Sequence, residues 1–282
     1  LPLISIPAIG GSAMLRTFPI AMHTIDLDAY FRRIGYNGDR SPTLETLTAI
    51  HQAHIHTFVF ENLSNWTGRP VSLELADIED KFVRSQRGGY CFETNTLFCA
   101  VLSHLGYQVR PLVAWVQWMQ PPDSKPTRTH MLLHVTIDGR PWIADVGFGS
   151  IGQTVPLALD TGEPQTTPLE TRRYRFNNGI ITHQVQLGPD EWGDVYSFDL
   201  REMFPTDFVM ANWYISTHPD SLFRNTLLIG MPRKDHRILI AFGEFTKRYP
   251  DGRAEKRIVE NDDDLRDLLV REFGLPADDP AV

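Results

Sequence analysis

Cysteine is scarce: the 282 residues include two, Cys91 and Cys99. Two thiols exclude a disulfide-stapled secreted scaffold and a four-thiolate zinc site. Placed on one helix they would stand about 12 Å apart, beyond disulfide reach. Both are read as free thiols, which favours a reducing, cytoplasmic setting. No apolar run approaches the roughly 18 residues that a membrane helix needs. Positive charge is in deficit, with 27 Lys+Arg against 35 Asp+Glu and a net charge of −8. Neither a membrane nor a nucleic acid is therefore an expected partner. No internal repeat is visible, and composition excludes collagen, coiled coil and disorder. What remains is an ordinary globular chain, long enough for two domains or three small ones.

Residues 1–22 are apolar and turn-rich without helical or strand period. Arg16 follows their apolar stretch, contrary to a secretory layout, so they are expected to be a leader or flexible arm, with Met14 or Met22 as possible natural starts. Asn62-Leu63-Ser64 and Asn65-Trp66-Thr67 have the form of glycosylation sites, which carry no weight without a signal peptide. Residues 23–107 have helical period. Leu27, Tyr30, Phe31 and Ile34 share a face closed by Gly35. Leu44, Leu47 and Ile50 follow Ser41-Pro42, and Leu97, Val101, Leu102 and Leu105 run to Gly106. From 108 to about 210 the period is two. Val109 to Trp118 and Met131 to Ile137 read as strands, and Asp138-Gly139 turns the latter into Pro141–Phe148. Asn177-Asn178-Gly179 makes a second hairpin. Residues 211–282 combine a linker, short strands and a helix over Asp262–Phe273 stopped by Gly274.

Several motifs are discounted on chemistry. Gly147-Phe148-Gly149-Ser150-Ile151-Gly152 fits GxGxxG, but Gln153-Thr154-Val155-Pro156 follows where a helix is required. His130 and His134 have HxxxH spacing without the glutamate, and on a strand they span about 13 Å, too far to share a metal. His51, His54 and His56 are expected to be surface and capping histidines at a helix end. Asp262-Asp263-Asp264 reads as the acidic first turn of a helix. No metal site is expected.

The segment Arg87-Gly88-Gly89-Tyr90-Cys91-Phe92-Glu93 carries the chemistry. Two glycines break the backbone before a helix that Cys91 would open. The N–H groups and macrodipole of that end favour a thiolate and can receive an oxyanion. Cys99, inside the helix, reads as a small buried side chain. A thiolate nucleophile wants an imidazole and a group to orient it. The Asp138-Gly139 turn sets position 132 opposite 145, so His130 and Asp145 lie one diagonal step apart on the same face. His134, opposite 143, has no carboxylate partner.

These pieces resemble the arylamine N-acetyltransferases from about Tyr30 to Phe273. The resemblance rests on Tyr30-Phe31-Arg32-Arg33-Ile34-Gly35-Tyr36, Phe60-Glu61-Asn62-Leu63, Arg87 to Glu93, and His130 with Asp145-Val146-Gly147-Phe148-Gly149. Asn212-Trp213-Tyr214-Ile215-Ser216-Thr217-His218-Pro219 completes it. The departures are Val59, where many members have proline, and the extra leader before Met22.

The resemblance implies an α+β fold with a cysteine-protease-like three-domain architecture: N-terminal helical bundle, central antiparallel β-barrel and C-terminal α/β lid. It implies Cys91 as nucleophile, His130 as base and Asp145 as its orienting carboxylate. Glu61 and Arg87 would be a supporting ion pair, and Phe60 and Phe148 would line the acceptor pocket. Acetyl-coenzyme A would be the co-substrate, with an arylamine, arylhydroxylamine or hydrazine as acceptor. The scheme would be ping-pong through acetyl-cysteine, in a monomer or homodimer. Thr129, Gly147 and Gly149, in the Thr127–Thr129 approach and the Gly147–Gly152 loop, are candidate coenzyme contacts, which ordinary turns explain equally well. An amide synthase, or another thiol acyltransferase or hydrolase with a different acyl donor, uses the same triad.

Overall fold

The structure, a computed structural model, describes residues 24–121, 124 and 126–282. The leader expected over 1–22 lies outside the described residues.

The first part is helical. The Asp26 side chain accepts the Ala29 N–H at 2.9 Å and so caps α1 (Leu27–Arg33), which buries Tyr30 and Phe31. Gly35, at φ +66°, takes the left-handed conformation that ends the helix at little cost. Thr43 caps α2 (Leu44–Thr57). Then follow β1 (Phe60–Glu61), α3 (Leu63–Trp66) and α4 (Leu75–Glu79), which runs into a π-helical turn over Asp80–Arg84. The central helix α5 (Cys91–His104) buries Phe92, Leu97, Phe98, Val101 and Leu102. Both sequon asparagines, Asn62 and Asn65, are buried.

The second part is an eight-stranded antiparallel sheet. Its strands are β2 (Gln108–Val116), β3 (Arg128–Ile137), β4 (Arg140–Ala144), β5 (Leu157–Ala158), β6 (Gln165–Thr166), β7 (Thr171–Asn177), β8 (Ile180–Gln186) and β9 (Trp192–Phe198). They lie in the order β5-β4-β3-β2-β9-β8-β7-β6. Asp138-Gly139 and Asn178-Gly179 both have positive φ throughout, the conformation that suits the right-handed twist of a two-residue hairpin. The sheet curls into a nearly closed barrel, and a side chain bridges its seam. The Gln165 amide donates to Ala158 O at 2.9 Å and accepts the Ala158 N–H at 2.8 Å, in place of a backbone ladder. Met131, Leu133, Val135 and Ile137 of β3 face the helices, while Leu132 enters the barrel core with Tyr174, Tyr196 and Phe198.

The third part comprises α6 (Pro205–Thr217), α7 (Leu222–Asn225), β10 (Leu228–Pro232), β11 (Arg237–Ala241), β12 (Glu244–Arg248), β13 (Ala254–Ile258) and α8 (Asp262–Arg271). Asn261 caps α8, its Oδ1 accepting the Asp264 N–H at 3.0 Å, so the three aspartates do form a helical first turn. Leu268, Leu269 and Phe273 pack on Ile238 and Ile240.

The fold is α+β. Two expected limits differ from the structure. A strand was expected over Pro141–Phe148, yet β4 stops at Ala144 because the next residues leave the sheet to lie on α5. A cut at 210 falls inside α6. In addition, β1 pairs with β10, so the helical part supplies the edge strand of the C-terminal sheet.

Gln165→Leu would leave two buried backbone groups unpaired at the seam. It should lower stability by about 2 kcal/mol, read from the denaturant midpoint at unchanged m-value.

Candidate active site

Cys91 owes its place to a close backbone approach. Gly89 donates its N–H to Val59 O at 3.1 Å and accepts from the Glu61 N–H at 3.1 Å. A Cβ on Gly88 would stand 1.8 Å from Val59 O, so this contact requires glycine. The Glu93 carboxylate turns back to the Tyr90 N–H at 3.2 Å and takes Lys81 Nζ at 2.7 Å, tying down the first turn of α5. The Tyr90 hydroxyl donates to Asn212 Oδ1 on α6. Intrahelical bonding begins with the Glu93 and Thr94 N–H groups on Tyr90 O. The Cys91 and Phe92 N–H groups precede it, at the positive end of the helix.

The thiol lies against a bulge. Between β2 and β3 the register jumps from Ala114↔His130 to Trp115↔Arg128, which leaves Thr129 out of the ladder. Such bulges re-aim groups beside sites. Here the Thr129 carbonyl accepts from Cys91 Sγ at 3.6 Å.

His130 and Asp145 are brought together as the register requires, with Nε2 2.8 Å from Oδ2 and both side chains buried. Burial opposes the imidazolium. The Asp145 charge and hydrogen bond outweigh it, with a further contribution from the adjacent Cys91, and the His130 pKa is raised. Burial likewise opposes the Asp145 carboxylate, but His130, the Gly147 N–H at 2.9 Å and Asn95 Nδ2 at 3.1 Å hold its pKa down. The His130 ring meets Phe148 edge-on at 4.8 Å and Tyr196 at 5.0 Å.

Sequence reasoning missed three residues of this surround. Asn95 stands one turn after Cys91 on the same face of α5. It donates to Met131 O at 2.8 Å and to Asp145, and accepts the Val146 N–H at 3.2 Å. The four-residue spacing from Cys91 was the available signal. His51 and His54 are not the surface histidines expected, since both are fully buried. His51 Nε2 reaches Asp145 O at 3.2 Å, and burial, outweighing the pull of Asp145, lowers its pKa to about 4. His54 bridges the Tyr30 hydroxyl at 2.9 Å and the Thr94 hydroxyl at 2.7 Å, and burial lowers its pKa as well. Their three-residue spacing turns both inward from α2, whereas His56 is half-buried.

The other candidates fall around this centre. Arg87 grips Glu61 Oε1 with Nε at 3.0 Å and Nη2 at 2.7 Å, and reaches Asp279 at 2.9 Å. The second Glu61 oxygen accepts the Leu63 N–H at 2.8 Å. Phe60 and Phe148, with Gly149, Gly152, Gly230 and Met231, line a narrow pocket beside Asp145. Gly147 has a structural reason to be glycine: a Cβ there would meet Asn95 Nδ2 at 2.5 Å and Cys91 Cα at 2.7 Å. Gly149, at φ +74°, lies against the Phe60 ring. No helix follows the Gly147–Gly152 loop, which forms a 3-10 turn over Gly149–Ile151. Among the described residues no group of three or more His, Cys, Asp or Glu could hold a metal, and no helix is long and apolar enough to cross a membrane.

A family model described as N-acetyltransferase matches residues 43–282. The chain is 37% identical to the arylamine N-acetyltransferase of Escherichia coli K12 over 90% of each chain. It is 38% identical to that of Mycobacterium tuberculosis over 89% of each. The solved arylamine N-acetyltransferase of M. tuberculosis superposes with a TM-score of 0.86, covering 90% of this chain and 95% of that one at 37% identity. The Mycobacterium marinum enzyme in complex with CoA does so at 0.85, over 89% and 93%, also at 37% identity. Fold and relatives define the class as an acyltransferase. The chain belongs to the arylamine N-acetyltransferase family.

His183 on β8 is also fully buried, and burial, with the nearby Arg172 charge, lowers its pKa. At pH 7, histidine-ring 15N shifts should show His130 as imidazolium and His51, His54 and His183 as neutral. The pair also sets a pH window for stability. His130, raised from 6.5, contributes fully below that value and less as pH climbs through its folded pKa. Asp145, lowered from 3.8, contributes fully above that value and less as pH falls through its folded pKa. The stability gap between wild type and Asp145→Asn should therefore be widest between about pH 4 and pH 6.5, and narrow on either side.

Proposed function

We propose that this chain N-acetylates arylamines, arylhydroxylamines and hydrazines from acetyl-coenzyme A, by a ping-pong route through acetyl-Cys91. The observation that carries this reading is the buried His130–Asp145 pair beside a thiol at the first turn of α5. The CoA-bound relative from M. marinum supports the choice of donor.

The Cys91 thiolate attacks the acetyl carbonyl carbon, and the developing oxyanion is received by the Cys91 and Phe92 N–H groups. The bond from the acetyl carbon to the coenzyme sulfur breaks, and the departing thiolate takes the proton of the His130 imidazolium. The amine nitrogen then attacks acetyl-Cys91 while neutral His130 accepts its proton. The cysteine thiolate leaves, and the charged pair that began the cycle is restored. Asp145 keeps the ring oriented and offsets its charge throughout, as the carboxylate of a triad does. Phe60 and Phe148 offer ring faces to an aromatic acceptor.

Intact mass after mixing with acetyl-coenzyme A alone should show one added acetyl group, which an arylamine or hydrazine then removes. Cys91→Ser should show none. A wild type that stays unmodified while Cys91 alkylates rapidly would overturn the donor assignment and point to longer acyl thioesters. Asn95→Ala frees the Asp145 loop, and kcat/KM should fall about tenfold to a hundredfold, with Cys91 still in place.

A further inference from the structure

A buried charge cluster in the barrel wall takes no part in that chemistry. Arg172 on β7 is fully buried and Arg237 on β11 nearly so. Both bind Glu170, Arg172 through Nε at 2.8 Å and Arg237 through Nη2 at 2.6 Å. Arg172 Nη1 lies 3.2 Å from Nε2 of buried His183 on β8, and the remaining donors converge on three consecutive carbonyls. Arg172 Nη2 donates to Ile151 O at 2.7 Å and Gly152 O at 3.1 Å. Arg237 Nη2 donates to Gly152 O at 3.0 Å, and Nη1 to Ser150 O. Two cations against one carboxylate leave a buried excess of positive charge, and the aimed carbonyl dipoles compensate it.

The turn held in this way directly follows Phe148. The three residues of 3-10 helix over Gly149–Ile151, followed by Gly152, have little stiffness of their own. The turn touches Phe60 through Gly149 and β10 through Ser150, where a Cβ on Gly230 would meet Ser150 Cβ at 2.9 Å. The pocket between Phe60 and Phe148 includes Gly149, Gly152 and Gly230 in its wall.

We infer that Glu170, Arg172 and Arg237 form a clamp that fixes the 149–152 turn and so sets the width of the pocket between Phe60 and Phe148. They are positioning residues that favour ring-bearing acceptors over small ones. This rests on the acetyl-transfer reading above. Lysine keeps the charge but cannot supply the fork of donors that spans several carbonyls, which makes Arg237→Lys the informative change. Glu170→Gln is a second probe that loosens both arginines.

The test compares wild type, Arg237→Lys, Glu170→Gln and, as a destabilised control, Leu268→Ala in the core under the C-terminal sheet. Single-turnover acetylation of Cys91 is followed by mass, and steady-state rates are taken with hydrazine and with naphthylamine. In both clamp variants Cys91 acetylation should stay within about threefold, while KM for naphthylamine rises about tenfold and the hydrazine rates hold. Amide exchange over 149–152 should quicken in both. Leu268→Ala should lower Tm and leave the naphthylamine-to-hydrazine ratio unchanged. An unchanged ratio in both clamp variants, or an equal fall for both acceptors and for Cys91 acetylation, would overturn the proposal. Absence of acetyl-Cys91 in the wild type would remove the reading beneath it, and is seen before any variant is compared. Unaltered exchange over 149–152 in Arg237→Lys would overturn the clamp itself.

Discussion

The ion pair between His130 and Asp145 is the constraint on which the neighbouring structure depends. Taking two charges out of water costs several kcal/mol for each ion, and the pair persists only if its other polar contacts are satisfied. Each of the three elements around it supplies one. Asn95 comes from α5, the Gly147 N–H from the loop beyond β4, and His51 from α2 holds the Asp145 carbonyl. The pair thereby ties the barrel to the helices. The same bonds hold Asp145 beside the first turn of α5, where Cys91 sits.

Glycine permits the approach at both ends. The chain before Cys91 presses on Val59 O at Gly88, and the chain after Asp145 presses on Cys91 Cα at Gly147. Either contact would be closed by a single methyl group. Outside this centre, two sets of paired charges join the parts: Arg87 with Glu61 and Asp279, and Glu170 with Arg172 and Arg237. Each set crosses between segments far apart in sequence. The C-terminal sheet is therefore bonded both to the loop before Cys91 and to the turn after Phe148.

Much of this was legible in the chain, and the limits follow from range. The Asp138-Gly139 turn set the β3–β4 register correctly, because a two-residue turn leaves one pairing, and His134 does face Ile143. The strand past Ala144 was read too long because apolar residues at 146 and 148 continue its period. What ends it is the packing of Gly147 on α5, a contact with no local signature. His51 and His54 were read as surface groups because polarity is a fair guide until a buried carbonyl or hydroxyl is waiting across the core. The Thr129 bulge was likewise out of reach, since an unpaired residue can be recognised only against its partner strand.

By itself the sequence determined the main helices and the two hairpins, the β3–β4 register, the helix that Cys91 opens and the family, all of which follow from local period, turn chemistry and ordered motifs. The tertiary structure alone decided which polar groups surround the pair, how Gln165 bridges the barrel seam and what grips the 149–152 turn. Those contacts join residues many positions apart. Their stability comes from the burial of groups whose partners no local pattern specifies.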